Sequence, residues 1–190
     1  MRLVPLLVPL LLFAACSKPA QESGNQPVAA EQAGPVKGVD RSHKGKPAPA
    51  AEFKDPDGGE ISLADFKGTP VLMNLWATWC APCVKELPTL DRLASSFRKD
   101  GTLGVIAVSQ DMGPHTSVEA FLADKGIQDL GAYQDAKMGL SGALGAEVLP
   151  TSILFDAQGR EVWRYVGDLD WTGPEAAKLL SEAGVARPAP

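Results

Sequence analysis

A Cys-x-x-Cys pair at the junction of a buried strand and an amphipathic helix is the feature that most constrains this chain. Cys80 and Cys83 are separated by Ala81 and Pro82. The nearly continuous apolar run at residues 71–76 precedes the pair and predicts a strand buried on both faces of a sheet. Leucines at helical spacing follow the pair and predict an amphipathic helix that begins there.

The start of a helix favours the reactive form of a cysteine. Unpaired backbone N–H groups and the positive end of the helix dipole stabilise a thiolate at that place, so Cys80 is the candidate nucleophile. Pro82 suits the first turn because its missing N–H needs no partner there. Cys83 lies one turn further on, where it can attack a mixed disulfide formed by Cys80 and release the product. The pattern therefore predicts a redox-active pair.

Three other uses of a Cys-x-x-Cys pair fit the sequence less well. A structural zinc site usually needs a second Cys/His pair, and the chain has only His43 and His115 to offer. Covalent haem attachment needs a histidine directly after the second cysteine, where Val84 stands. A purely structural disulfide is the remaining alternative. We expect no metal and no bound cofactor.

Length and charge limit the class of protein further. The 190 residues suffice for about one ordinary domain with some extra chain. A content of 45% hydrophobic and 22% charged residues supports a packed core rather than global disorder. The 18 basic and 23 acidic residues give a net charge of −5, so nothing predicts the basic face of a nucleic-acid binder. We expect a monomer.

The first 15 residues predict a cleaved signal peptide. One arginine precedes the apolar run at residues 3–13, which is too short for a membrane span of about 20 residues. The sequence ending in Cys16 resembles a bacterial lipobox, although leucine is usual where Phe13 stands. We predict cleavage before Cys16 and lipidation of its thiol. A plain signal peptide and an uncleaved anchor are the alternatives.

The predicted lipid places the protein on the periplasmic side of a bacterial cell envelope. By analogy with enteric lipoproteins, Ser17 rather than Asp after the cysteine favours the outer membrane. The chain from residue 16 to residue 46 is rich in Ala, Gln, Gly, Pro and Ser and has no aromatic residue. It therefore predicts a flexible tether that reaches about 30 Å. His43 is expected to be solvated within it. The folded domain is predicted at residues 47–185.

The remaining pattern predicts a sheet covered by helices on both faces. Strands joined by helices should run parallel, and the two hairpins should be antiparallel. The predicted elements are a hairpin at 51–62, a helical turn at 63–66, strands at 71–76, 103–108 and 132–134, helices at 81–97, 117–125 and 136–144, a hairpin at 151–166 and a helix at 175–183.

Several of these segments together resemble one family. The segments 46–53, 63–68, 71–83 and 86–88, joined to Leu149-Pro150-Thr151, are similar to the TlpA/ResA-like thiol-disulfide oxidoreductases of the thioredoxin superfamily. The resemblance spans residues 46–183. It implies an α/β thioredoxin fold, with a mixed central sheet, helices on both faces, an N-terminal β-hairpin and an insert within residues 110–145. It also implies an extracytoplasmic, membrane-tethered location.

The resemblance implies a substrate site around the cysteines. Pro150 is expected to have a cis peptide bond and to face the pair, so that the backbone of Leu149 binds an extended substrate segment by strand addition. A proline that merely starts a strand is the alternative. Trp79 and Pro82 are expected to contact the substrate. Gly167 is expected to allow a close backbone approach near the site.

The resemblance also assigns a proton carrier. Glu86 lies three residues after Cys83, on the same helix face, and is expected to accept or return the proton of that cysteine. A solvated helix residue is the alternative. Asn74 stands where cytoplasmic thioredoxins carry a buried acid, and a neutral amide cannot carry the proton. Trp76, Trp163 and Trp171 are expected to be packing residues.

The predicted function is that of a protein-disulfide reductase with protein disulfides as substrates. A membrane thiol donor of the DsbD/CcdA type would re-reduce it, and cytochrome c maturation, with apocytochrome c as substrate, is a candidate task. A thiol peroxidase is one alternative, disfavoured because Ala77 stands where a Thr or Ser is expected. A copper-binding or copper-delivery protein is another, since two thiolates can hold Cu(I). Related copper chaperones usually have three residues between the cysteines and a downstream histidine ligand, whereas the spacing here is two and His115 is the sole histidine of the predicted folded region.

Overall fold

The computed structural model describes residues 37–186. The predicted signal peptide, the lipidation site Cys16 and residues 17–36 of the predicted tether lie outside the described residues. None of the helices within residues 37–186 has the length and apolar character needed to cross a bilayer.

After one additional strand at its beginning, the described chain follows the predicted order of strands and helices. Its elements are β1 (Gly38–Asp40), β2 (Glu52–Lys54), β3 (Glu60–Ser62), a 3-10 turn (Leu63–Phe66), β4 (Val71–Trp76), α1 (Ala81–Phe97), β5 (Gly104–Ser109), α2 (His115–Asp124), β6 (Ala132–Gln134), α3 (Gly139–Leu144), β7 (Thr151–Phe155), β8 (Glu161–Val166) and α4 (Pro174–Ser181). The segment predicted to hold the insert, 110–145, forms α2, β6 and α3.

The strands form one mixed sheet in the order β1-β8-β7-β4-β5-β6-β2-β3. Strand β4 runs parallel to β5, and β5 runs parallel to β6. Strand β7 pairs antiparallel with both β4 and β8, and β2 pairs antiparallel with β3. All six residues of β4 are buried, as expected for a strand covered on both faces. The predicted parallel centre and both predicted hairpins are confirmed.

Alternating side chains of β4 divide the core between the two faces of the sheet. Leu72 and Trp76 belong to a cluster that includes the buried leucines of α1 and residues of α2 and α4. Met73 and Leu75 belong to a second cluster, which includes Phe53 of the first hairpin and residues of α3. Helices therefore cover both faces, and Trp76 is the core residue that was predicted.

The end of the predicted tether was placed wrongly, because the fold begins before residue 46. Strand β1 pairs with β8, and the backbone N–H of Gly45 donates to the carbonyl of Glu161 at 2.7 Å. An edge strand is held by backbone hydrogen bonds and needs few buried apolar side chains, so it leaves little pattern in the sequence. Val39 within it is 39% exposed. His43 is half-buried rather than fully solvated.

Two backbone features join β7 and β8 at one end of the sheet. The Leu149–Pro150 peptide bond is cis, as the resemblance implied. Gly167 follows β8 with φ at +99°, and its N–H donates to the Pro150 carbonyl at 2.8 Å. A Cβ atom added at Gly167 would lie 2.9 Å from Cγ of Lys37. The close approach expected at Gly167 is therefore present.

Gly167→Ala should destabilise the folded domain, because its left-handed backbone and the nearby Lys37 side chain both oppose a Cβ atom. We expect a loss of about 1–2 kcal/mol in the free energy of unfolding, measured by chemical denaturation of the oxidised protein.

The matched control is Gly142→Ala. Gly142 lies inside α3, and an added Cβ atom there would meet nothing within 4 Å. Alanine favours helix over glycine, so this variant should lose no stability. Equal losses in the two variants would contradict the account of Gly167.

Candidate active site

The two cysteines form a disulfide at the beginning of α1. The Sγ atoms of Cys80 and Cys83 are 1.96 Å apart, and their Cα atoms are 5.3 Å apart. Cys80 is the residue that caps the helix, and its Sγ accepts the N–H of Cys83 at 3.4 Å. Cys80 is 7% exposed, whereas Cys83 is fully buried. The helix start therefore directs a donor at the sulfur closer to solvent, which favours a thiolate on Cys80.

Two residues next to Cys80 and Cys83 in the chain are exposed to solvent. Trp79 is 70% exposed, and Pro82 in the first turn of α1 is also exposed. In the sheet register Leu75 pairs with Thr151, so the cis Pro150 lies beside the end of β4 from which the loop to Cys80 leaves. Leu149 is half-buried and Pro150 is buried. The structure thus brings the predicted substrate residues to one end of the sheet.

Asp111, to which sequence analysis assigned no role, holds the loop that leads to Cys80. Its carboxylate accepts the Thr78 N–H at 3.0 Å and the Thr78 hydroxyl at 2.7 Å. The Ser109 hydroxyl donates to it at 2.6 Å. Because β4 and β5 are parallel, their carboxyl ends meet at one edge. A carboxylate two residues after the end of the second of two parallel strands was the signal that could have identified this contact.

Glu86 lies one turn after Cys83 on α1 and is buried, at 3% exposure. Its Oε1 accepts the side-chain amide N–H of Asn74 at 2.8 Å. Its Oε2 accepts the backbone N–H of Leu169 at 3.0 Å and the indole N–H of Trp171 at 3.3 Å. Glu86 is therefore buried on the face of α1 that carries Cys83, and the alternative of a solvated helix residue is wrong.

Burial raises the pKa of Glu86 to about 7, although hydrogen bonds from Leu169, Asn74 and Trp171 each lower it. The negative charge of Asp168 adds to the rise in this pKa. Burial prevails because all three hydrogen bonds come from neutral donors and cannot replace the hydration of a full charge. Glu86 therefore titrates near neutral pH, where a carboxyl group can both release and accept a proton.

Asn74 is fully buried, and its side-chain amide is hydrogen-bonded within the core. Besides Glu86, its Nδ2 donates to the Ser152 hydroxyl at 2.9 Å. Trp171, expected to be a packing residue, is buried but also binds the Glu86 carboxylate. Sequence analysis did not identify Ser152 or Leu169 as part of the site, because each lies far along the chain from the residue it contacts, Asn74 or Glu86.

Within residues 37–186 there is no cluster of three or more His, Cys, Asp or Glu side chains arranged to hold a metal ion. His115, the histidine of the copper alternative, has both ring nitrogens engaged. Its Nε2 lies 2.6 Å from the Ala132 carbonyl oxygen, and its Nδ1 lies 3.4 Å from a carboxylate oxygen of Glu119.

Several known proteins are similar to this chain in sequence. The Redoxin family matches residues 43–180. The thiol-disulfide oxidoreductase ResA of Bacillus thuringiensis (strain Al Hakam) is 35% identical over 124 residues, which cover 65% of this chain and 70% of ResA. ResA of Bacillus subtilis (strain 168) is 30% identical over 126 residues, which cover 66% of this chain and 68% of that ResA.

Solved structures share the fold. A Chlorobium tepidum protein assigned as the thiol:disulfide interchange protein DsbE superposes with a TM-score of 0.64 and 26% identity, covering 74% of this chain and 96% of that one. StoA from Bacillus subtilis superposes with a TM-score of 0.54 and 24% identity, covering 67% of this chain and all of StoA (100%). The predicted thioredoxin fold is confirmed. The chain belongs to the Redoxin family and, within it, to the ResA-type thiol-disulfide oxidoreductases of the thioredoxin superfamily.

Proposed function

We propose that this chain is an extracytoplasmic, membrane-tethered enzyme that reduces disulfides of protein substrates through Cys80 and Cys83. The observation that carries the proposal is the asymmetry of the pair. The Cys80 sulfur lies at the helix start and nearer to solvent, while Cys83 is buried on the helix face that carries Glu86. One sulfur is thus placed to meet a substrate, and the other to complete the reaction inside the protein.

The reaction is a two-step thiol–disulfide exchange. The reduced Cys80 thiolate attacks a substrate disulfide, a Cys80–substrate S–S bond forms, and the first substrate sulfur leaves and takes up a proton. Cys83 then gives its proton to Glu86 and attacks the Cys80 sulfur. The Cys80–Cys83 bond forms, and the second substrate sulfur leaves and takes up the proton released by Glu86. The substrate has then gained two electrons and two protons, and the Cys80–Cys83 pair has lost two electrons. The disulfide in the structure is the oxidised state that results.

The substrate is an extended segment of a polypeptide that carries a disulfide. We infer that its backbone pairs with that of Leu149 ahead of the cis Pro150, in the manner of an added strand. Trp79 and Pro82 give it exposed apolar surface next to Cys80. Apocytochrome c is the proposed substrate, in keeping with the ResA resemblance, and a membrane dithiol protein of the DsbD/CcdA type is the proposed electron donor.

The N-terminal sequence supports a tether for this domain. We propose a signal peptide at residues 1–15, a lipid on Cys16, and a linker that ends where β1 begins at Gly38. The folded domain then extends to about residue 185. The lipid holds the enzyme at a membrane surface on the periplasmic side, and Ser17 favours the outer membrane as that surface.

Cys83→Ala should trap the substrate, because the Cys80–substrate bond then has no neighbouring thiol to break it. We expect dithiothreitol-sensitive mixed disulfides between Cys80 and envelope proteins, detected on non-reducing gels and identified by mass spectrometry. The double variant Cys80→Ala/Cys83→Ala should capture none. Equal capture by the two variants would contradict the assignment of Cys80 as nucleophile.

Glu86→Gln should slow the second step, since the proton of Cys83 loses its acceptor. We expect a reduction of about 100-fold in the single-turnover rate of release from a preformed Cys80 mixed disulfide. In the native enzyme this rate should rise with pH through about 7, as Glu86 becomes charged and able to accept the proton. The variant should lack that rise.

The control for Glu86 is Glu147→Gln, which removes one exposed carboxylate before the cis proline. It changes the net charge by the same amount and should leave the release rate and its pH profile unaltered. An unchanged profile in Glu86→Gln would show that Glu86 does not handle the proton.

Cys16→Ser should abolish lipidation. In cells fed labelled palmitate, we expect the native protein to carry the label and to fractionate with membranes, whereas the Cys16→Ser variant is unlabelled. Retention of the label by the variant, or its absence from the native protein, would refute the proposed anchor without affecting the redox assignment.

A further inference from the structure

The two oxygens of Glu86 have partners of different chemical kinds. Oε2 accepts the Leu169 backbone N–H at 3.0 Å and the Trp171 indole N–H at 3.3 Å. Both groups are donors that cannot accept a hydrogen bond. Oε1 accepts from the side-chain amide of Asn74 at 2.8 Å, and that amide also carries an acceptor. The two oxygens therefore differ in their ability to hold a proton.

A proton on Oε2 would face two N–H donors, so the protonated form of Glu86 carries it on Oε1. At Oε1 the neighbouring amide can adapt, because the Asn74 Oδ1 atom is buried and accepts no hydrogen bond from the described residues. A half-turn of the amide about Cβ–Cγ presents this acceptor to the proton. Ser152, the second partner of Asn74, has a hydroxyl that can donate or accept in either arrangement.

We propose that Trp171 is a positioning residue for proton transfer: together with the Leu169 N–H, its indole N–H occupies Oε2 of Glu86 and confines the transferable proton to Oε1. This inference rests on the proposed function, in which Glu86 exchanges a proton with Cys83. It gives a buried indole, otherwise expected only to pack, a defined task in the reaction.

The loop that carries Trp171 is fixed to the helix that carries Glu86. The backbone N–H of Trp171 donates to the Thr89 hydroxyl at 3.2 Å. That hydroxyl in turn donates to the Glu86 carbonyl at 2.8 Å. Trp171 is fully buried, and Thr89 lies one turn after Glu86 on α1. The indole and the carboxylate are thus held against each other through a single threonine.

The charged groups around Glu86 are arranged in a small surface cluster. Asp168, next to Leu169 in the loop, forms ion pairs with Lys37 at 2.6 Å and with Lys85 of α1 at 3.7 Å. Tyr165 approaches from β8, and Lys37 from the residue before β1. The strand partners from β4 and β7, Asn74 and Ser152, are neutral. Loss of one neutral donor at Oε2 should therefore appear directly in the titration of Glu86.

Trp171→Phe keeps an aromatic ring and removes the indole donor. We expect the proton affinity of Glu86 to rise about tenfold, because the charged form loses a hydrogen bond that favours it. The measurement is a pH titration of the Glu86 side-chain carboxyl by ¹³C NMR in the oxidised full-length protein. The pH dependence of the mixed-disulfide release rate should shift to higher pH by the amount that corresponds to this rise in proton affinity.

Trp163→Phe is the matched control. Trp163 is equally buried, and its indole N–H donates to the Leu179 carbonyl at 2.9 Å rather than to Glu86. Both variants lose one buried indole hydrogen bond, so both should lose stability to a similar extent. Only Trp171→Phe should change the Glu86 titration. An unaltered or lowered proton affinity in Trp171→Phe, or the same rise in both variants, would overturn the proposal.

A second pair of variants tests the proposal without changing the indole. Thr89→Val removes the hydroxyl that fixes Trp171 and should raise the proton affinity of Glu86 severalfold. Thr89→Ser keeps a hydroxyl at this position and should leave the proton affinity of Glu86 at the native value. No difference between them would count against the proposal. These titrations do not depend on turnover, so a native protein without reductase activity refutes the proposed function, while an unmoved titration refutes the role of Trp171.

Discussion

The burial of one carboxyl group, Glu86, whose hydrogen bonds within residues 37–186 come from neutral donors, is the constraint on which the active site depends. Glu86 brings together α1, β4 and the loop after β8, because its oxygens are the shared acceptors of donors from β4 and from that loop. A charged group in this position is costly, and the core packed on both faces of the sheet must offset that cost. The same burial raises the pKa of Glu86 to about 7, which lies in the range where thiols and solvent exchange protons.

The remaining parts of the site follow from the direction of the strands. Strands β4 and β5 end at the same edge, where Asp111 fixes Thr78 and hence the approach to Cys80. The antiparallel strand β7 begins at that edge, which brings the cis Pro150 to the same end of the sheet. Cys80, Asp111 and Pro150 adjoin three different strands, β4, β5 and β7. All three residues nevertheless lie at the same end of the sheet.

The sequence predicted the parts of the site that depend on local pattern. The apolar run of β4, the cysteine pair and the helix that follows are neighbours along the chain, and each has its own periodicity or spacing. The cis Pro150 came from the family resemblance, because a trans bond is the ordinary expectation. Asp111 and Trp171 were missed since their partners lie far away in the chain. Strand β1 was missed because an edge strand needs no apolar alternation.

The most direct test of the account is an equilibrium redox titration of the Cys80–Cys83 pair at pH 7. A reductase must hold its electrons weakly enough to give them to protein disulfides. We therefore predict a reduction potential near that of thioredoxin, about −270 mV. A potential near that of the oxidant DsbA, about −120 mV, would mean that the pair accepts electrons from its substrates, and it would contradict the proposed direction of the reaction.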